Sequence, residues 1–182
     1  MAFTVQREDC RLRPPGEGDR ERLLAWRNSE RIRNASLSDG IVAPADHRRW
    51  FRALRASAEI SLVFEHAGKP CGFIRTQGLE QGKSRCEWSF YIGDDQAPRG
   101  LGSAMGFLFL EMLFGAKGLD QVLADVIAAN DRSRRYHERL GFEATGSRRI
   151  RRSADEVEVL RFELEASRFA ARKPRLAGEI FS

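Results

Sequence analysis

Two glycines and an arginine stand at the mouth of a helical pattern in the stretch APRGLGSAMGFLFLEML, residues 97–113. The first amides of a helix lack carbonyl partners and carry partial positive charge, so such a turn can hold a phosphate. Gly100 and Gly102 remove the side chains that would keep an anion from those amides, and Arg99 adds a charged donor at the rim. Leu101, Met105, Leu108 and Met112 recur at helical spacing, so the turn opens a helix as a cradle requires. The stretch lacks the Gly-Lys-Ser/Thr ending of a Walker loop and the acidic residue of a dinucleotide fingerprint, which argues against a nucleoside triphosphatase or a dehydrogenase.

Proton transfer has few candidates. Tyr136 carries a phenol whose ordinary pKa of about 10 keeps it protonated at neutral pH and able to donate. Glu87 shares a strand face with Ser89 and Tyr91, and His47 has the ordinary pKa nearest to neutrality. Each has a plainer reading beside the chemical one. Tyr136 shares a helical face with Ser133 and Leu140, as a core residue would. Glu87 fits an exposed carboxylate paired with Arg85 or another neighbour, and His47 fits the first turn of an exposed helix. His66 and His137 have no partner assignable from the sequence.

The elements that must position these residues follow from hydrophobic period and turn chemistry. A short strand over 10–14 stops at Pro14-Pro15, and a helix over 17–27 follows. Residues 28–44 carry turn residues without sustained period and read as an irregular connection. Asp46 is the expected N-cap of a helix through HRRWFRAL, with Trp50, Phe51 and Leu54 on its apolar side. Strands are expected over 59–66, 71–79 and 85–92. In the last, Cys86, Trp88, Phe90 and Ile92 alternate with Glu87, Ser89 and Tyr91, giving one apolar and one polar face. The helix over 99–115, a strand over 121–127, a helix over 130–140 capped by Asn130 and ended by Gly141, and a hairpin over 142–152 and 156–165 complete the order β-α-α-β-β-β-α-β-α-β-β.

The 182 residues suit one domain, and 42% hydrophobic with 31% charged content describes an ordinary globular chain. No apolar run approaches the roughly 18–20 residues of a membrane helix, and no secretory signal is visible at the start. Cys10, Cys71 and Cys86 are odd in number, widely spaced and without metal-ligand spacing, which points to a reducing cytoplasm, no metal, and Cys86 in the core. The net charge of +5 favours anionic ligands but is too mild to indicate nucleic acid. The basic cluster SRRIRR at 147–152 reads first as a solvated strand surface.

Arg99-Gly-Leu-Gly-Ser-Ala104 fits the pattern Arg/Gln-x-x-Gly-x-Gly/Ala, and NDRSRRYHERLGF, residues 130–142, stands one strand later. The two motifs in that order resemble the acetyl-coenzyme A pyrophosphate signature and the second motif of the GNAT superfamily of N-acetyltransferases, over residues 10–165. The resemblance implies a single α/β (α+β) domain over 8–165 with a central mixed, mostly antiparallel sheet flanked by helices. A basic tail over 166–182 would lie outside it, partly disordered or docked on a neighbour. It also implies attack of a neutral amine on the thioester of acetyl-coenzyme A, with Tyr136 protonating the departing thiolate. Glu87 would serve as base directly or through water, with His47 as the other candidate. Cofactor contacts would come from Arg99, Gly100, Leu101, Gly102, Ser103 and Ala104 at the cradle. Backbone groups of Tyr91 and Ile92 would line the pantetheine arm, and Asn130 and Ser133 would stand at the next helix.

EWSFYIGDDQAPRGLGSAMG, with WRNSERIRN and HRRWF upstream, more finely resembles the sugar-nucleotide N-acetyltransferases of pseudaminic acid biosynthesis. Those act on the 4-amino group of a UDP-linked amino-dideoxy sugar. On that resemblance Arg27, Asn28, His47 and Trp50 would wall the acceptor site, although the tryptophans are also good core residues. Two alternatives stand beside it: acetylation of a protein N-terminal amine, as in ribosomal-protein acetyltransferases, and a non-catalytic module that binds acetyl-coenzyme A. A peptide acceptor would favour an open acidic groove, and a nucleotide sugar a basic, aromatic-walled pocket. The expected partner is a small-molecule amine acting on a cytoplasmic monomer or homodimer, with neither nucleic acid nor membrane.

Overall fold

The strand patterns assemble into one seven-stranded sheet. The computed structural model describes residues 5–54, 56–79, 84–153 and 155–181. In chain order the elements are β1 (Cys10–Arg13), α1 (Arg20–Asn28), α2 (Glu30–Ala35), α3 (Pro44–Leu54), β2 (Ser61–His66), β3 (Lys69–Gln77), β4 (Arg85–Ile92), α4 (Leu101–Glu111), β5 (Gln121–Ile127), α5 (Asp131–Leu140), β6 (Glu143–Arg152), β7 (Asp155–Glu165) and α6 (Ala166–Ile180). The strand order is β1-β2-β3-β4-β5-β7-β6. β4 and β5 run parallel and the other neighbours antiparallel, which is the mixed, mostly antiparallel sheet expected.

Both faces of the sheet are covered. On one, Ile74, Cys86 and Trp88 pack with Met105, Phe107 and Phe109 of α4 and with Phe169 and Leu176 of α6. On the other, Val63 and Phe73 pack with Leu23 of α1 and Phe51 of α3, and Trp26, Trp50 and Tyr91 border that cluster. The alternation along β4 thus sends its even-numbered side chains to one layer and Tyr91 to the other.

Three expectations about elements give way. The connection over 28–44 contains α2, capped by Ser29, whose Oγ accepts from the Ile32 amide, and held by burial of Ile32. α3 starts at Pro44, with the His47 amide bonded to the Ala43 carbonyl at 3.0 Å, so Asp46 lies inside the first turn and is not the cap. Residues 166–180, read as a tail, form α6, which buries Phe169, Leu176 and Ile180 against the chain's own core. Their spacing puts them on one helical side, while Arg168 donates to the Gly141 carbonyl at 2.7 Å and Lys173 pairs with Glu111 at 2.9 Å. Phe181 then bridges in parallel to Val5, so the two ends of the described chain meet.

One irregularity of the sheet matters for function. β4 and β5 pair only through Arg85–Gln121, Cys86–Val122 and Glu87–Leu123, although β4 continues to Ile92 and β5 to Ile127. Past Glu87 the two strands part and leave a gap in the middle of the sheet. Among the described residues no helix is long and apolar enough to cross a membrane.

Candidate active site

The gap between β4 and β5 opens into a cleft of about 720 Å³ that reaches both faces of the sheet. Trp88, Phe90, Tyr136 and His137 line it on the α4–α5 side, and Phe73, Arg75, Tyr91 and Trp50 on the α1–α3 side.

At the mouth on the first side stands the N-terminus of α4. Gly100 is its N-cap, with φ of 96°, a left-handed conformation that a side chain would strain. The amides of Ser103 and Ala104 both bond to the Gly100 carbonyl, at 2.9 and 3.2 Å. The donors left ahead of the first turn are therefore those of Leu101 and Gly102, with the exposed Arg99 side chain before them. Leu101 is 1% exposed and Ala104 wholly buried, so neither side chain can reach a ligand. Leu101 can contribute its backbone, whereas the Ala104 amide is already taken. Positive helix end, bare backbone and guanidinium fit a pyrophosphate.

The arm of a cofactor lying in the gap would meet β4 backbone. The Gly93 amide turns toward β3, bonding to the Cys71 carbonyl at 2.8 Å. Alternation along the strand turns the Tyr91 backbone the same way, onto its partner Phe73. The groups facing the gap are then those of Phe90 and Ile92, and the Ile92 carbonyl accepts from Arg31 Nη2 at 3.0 Å. Of the two residues expected to line the arm, Ile92 faces it and Tyr91 does not.

Asn130 caps α5, accepting from the Ser133 amide at 3.0 Å, and both residues border the cleft. One turn on, the Tyr136 hydroxyl donates to the Gly102 carbonyl at 2.9 Å, and its ring packs 4.8 Å from Phe90. Burial pushes this phenol well above its ordinary value, so it holds its proton firmly. A Cβ on Gly106 would sit 2.0 Å from that hydroxyl. Sequence reasoning missed Gly106, whose place four residues after Gly102 on the same helical face is the signal that marks it. His137 proves to have partners after all: Trp88 Nε1 donates to its Nε2 at 3.2 Å, and its Nδ1 donates to the Ser133 carbonyl at 2.7 Å. Burial holds it neutral, with its pKa down to about 4.

On the α1–α3 side the acid–base candidates are rearranged. Glu87 borders the cleft but is tied to Arg161 Nη1 of β7 at 2.7 Å, not to Arg85. Arg161 also pairs with Asp125 at 2.9 Å, and Arg148 from the basic cluster pairs with Asp125 at 2.7 Å. His47 is 3% exposed rather than on an open helix face, and burial with the nearby Arg20 charge lowers its pKa. Its Nε2 is buried without a partner in the described structure. Ring centroids step 5.0 Å from His47 to Trp50, 5.8 Å to Phe73 and 5.9 Å to Tyr91, so His47 stands at the far end of the cleft from the β4–β5 gap.

Arg27 lines the cleft, donating through Nη2 to the Ser38 carbonyl while its buried Nη1 has no partner among the described residues. Asn28 does not enter the site. Its amide is spent on Val42, donating to the carbonyl at 2.9 Å and accepting from the amide at 2.8 Å, which pins the loop before α3. Trp50 lines the cleft, and Trp26 packs where a Cβ on Gly93 would come within 2.0 Å of its ring. Sequence reasoning missed Arg75, a cation set among the apolar residues of β3 and placed 6.0 Å from the Trp50 ring centroid.

Residues 9–143 match the family model of the acetyltransferase (GNAT) domain. The chain belongs to the GNAT acetyltransferase family. It is 29% identical over 140 residues to an L-methionine sulfoximine/L-methionine sulfone acetyltransferase of Pseudomonas paraeruginosa, covering 74% of this chain and 81% of that protein. Among solved structures it resembles the spermidine N-acetyltransferase of Vibrio cholerae in complex with CoA and spermine, with a TM-score of 0.82 and 16% identity over 90% of this chain and 99% of that one. It also resembles Mycobacterium smegmatis RimJ in complex with CoA-disulfide, with a TM-score of 0.75 and 18% identity over 90% and 89% of the two chains. At these identities the structural likenesses speak to the fold.

Proposed function

We propose that this acetyltransferase moves an acetyl group from acetyl-coenzyme A to the primary amine of a small acceptor that carries negative charge. The observation that carries this is the charge balance of the cleft. Arg27, Arg31, Arg75 and Arg132 line it, and among the described residues each carboxylate that lines it is tied to an arginine: Asp46 to Arg49, Glu87 to Arg161, and Asp125 to Arg148 and Arg161. A surplus of guanidinium in an aromatic-walled space attracts an anion and repels a polycation. This weighs against polyamines and against the open acidic groove a peptide amine would favour.

Acetyl-coenzyme A supplies the activated acetyl group when bound. The amides of Leu101 and Gly102 and the Arg99 guanidinium hold its pyrophosphate, with Gly100 shaping the turn and Ser103 beside it. Phe90 and Ile92 offer backbone to its arm, and Asn130 and Ser133 flank the entry of α5. Tyr136 keeps a proton at Oη for the departing thiolate, and Glu87, held by Arg161, takes the amine proton through water. Arg27 and Trp50 border the acceptor.

Two acceptor chemistries fit the charge. An α-amino acid with an oxygen-rich side chain is supported by the Pseudomonas relative, whose name gives L-methionine sulfoximine and sulfone. A nucleotide-linked amino sugar is supported by the aromatic wall of Trp50, Phe73 and Tyr91, which suits a base or sugar ring. Thiol release from acetyl-coenzyme A, measured with L-methionine sulfone, a UDP-linked amino sugar, spermidine and an N-terminal peptide, tests the proposal. Release with either anionic acceptor is expected. Release with spermidine or peptide alone overturns it, and no release with any amine would favour a module that only binds acetyl-coenzyme A.

A further inference from the structure

We infer that the far end of the cleft is an oxyanion subsite, in which Arg75, assisted by His47 and backed by the Trp50 ring, reads an oxygen-rich group on the acceptor remote from its amine. This rests on the proposed function and assigns a second contact within the same site.

Arg75 is held like a ligand-binding residue and unlike a structural one. Its side chain extends from β3 into the cleft, and burial lowers the pKa of its guanidinium. Its described hydrogen bond runs from Nε to the carbonyl of Thr76 at 3.2 Å, which leaves both Nη groups free of protein acceptors among the described residues. The carboxylate of Glu59, whose charge opposes the effect of burial on Arg75, is committed to Thr76 Oγ1 at 2.6 Å and to the Leu79 amide at 3.2 Å. A half-buried guanidinium is weakened by losing water and has no carboxylate bonded to it among the described residues, and a fork of donors against an aromatic face suits a carboxylate, sulfonyl or phosphate group.

The second observation is His47. Its buried Nε2 has no partner among the described residues, and its ring lies 5.0 Å from the Trp50 ring that Arg75 overlies. A buried ring nitrogen and a half-buried guanidinium open to the cleft thus flank one aromatic plate. That plate is two ring steps from Tyr91, at the edge of the gap where the acetyl group must arrive. Arg27 stands at the other end, close enough to Tyr91 for its charge to oppose the effect of burial on that phenol. An acceptor that satisfies both ends carries one anionic or oxygen-rich group near its amine and another several bonds away. Sulfone oxygens on an amino-acid side chain and the diphosphate of a nucleotide sugar both supply the distal group.

The test compares kcat/KM for two matched pairs with full-length protein and its Arg75→Gln and Arg75→Lys variants. One pair is L-methionine sulfone against L-methionine, which lacks the two oxygens; the other is a UDP-linked amino sugar against the same amino sugar without its nucleotide. The wild type is expected to prefer the oxygen-bearing member of the pair it accepts by about 10- to 100-fold, the range for hydrogen bonds to a charged group. Arg75→Gln should remove most of that preference through KM, and Arg75→Lys should restore part of it. Affinity for acetyl-coenzyme A, measured by calorimetry, serves as the check on folding. If Arg75→Gln lowers kcat/KM for both members of the accepted pair equally, or leaves the preference intact, the subsite is overturned while the proposed function stands. If the wild type accepts only spermidine or a peptide, both fall.

Discussion

The Tyr136 hydroxyl donates its proton to the Gly102 carbonyl oxygen at 2.9 Å, so the phenol of α5 rests on the first turn of α4. The contact joins the two motifs of the sequence, the glycine turn and the Asn-led helix, into one site. It also places the proton-bearing oxygen within one helical turn of the amides of Leu101 and Gly102. Gly106 makes room for it, since a Cβ there would meet the hydroxyl at 2.0 Å.

Tyr136→Phe removes the hydroxyl and leaves the ring packing with Phe90 and Trp88. Turnover is expected to fall by about 100-fold or more, the scale of a lost general acid. Calorimetric affinity for acetyl-coenzyme A should change little. Unchanged turnover would remove Tyr136 from the proton path.

Gly106→Ala drives a methyl into the space of the Tyr136 hydroxyl. Overpacking of this kind costs about 1–3 kcal/mol, and the displaced phenol should lower turnover as well. In the Tyr136→Phe background the nearest clash is gone, so the same substitution should destabilise less. Denaturant unfolding of the four proteins in the double-mutant cycle measures the difference, and strict additivity would show that the notch is not the cause.

Arg99→Glu places a negative charge before the free amides of α4. Arg99 is exposed, so the melting temperature should hold within a few degrees while affinity for acetyl-coenzyme A falls by tenfold or more. Equal calorimetric affinities would mean that the turn is not a pyrophosphate cradle.

Acidification should destabilise the fold in two stages. His137 titrates near 4 in the folded chain and near 6.5 when unfolded, so only the unfolded state takes up its proton as pH falls through that window. The loss between those limits is on the order of 3 kcal/mol. Asp19, buried and bonded to Arg13 Nη1 at 2.6 Å, is held below the ordinary carboxylate range by that bond, against the opposing effect of burial. Its contribution is present at higher pH and disappears as pH drops through its lowered folded pKa. Melting temperature against pH should therefore decline from about 6.5 downward in the wild type and more gently in His137→Gln, which keeps an acceptor for Trp88. Parallel curves would show that His137 is not the source.

Much of this protein was readable without its structure, because the signals are local. The alternation along β4, the cap at Asn130, the left-handed stop at Gly141 and the glycines of the α4 turn each depend on residues a few positions apart. The tertiary structure decided what depends on distant chain. It showed α6 to be part of the core, since Phe169, Leu176 and Ile180 sit among enough arginines and lysines to read as a charged tail until a sheet is there to cover. It joined Glu87 to Arg161, spent Asn28 on Val42, and buried His47 at the remote end of the cleft. It also exposed Arg75 as a cation without a direct ion pair among the described residues. The sequence by itself determined the family and the turn that suits a phosphate, because hydrogen bonding within a turn is set by its own residues. Which charges remain unpaired, and so which acceptor the cleft favours, is set by pairings across the sheet that only the folded chain makes.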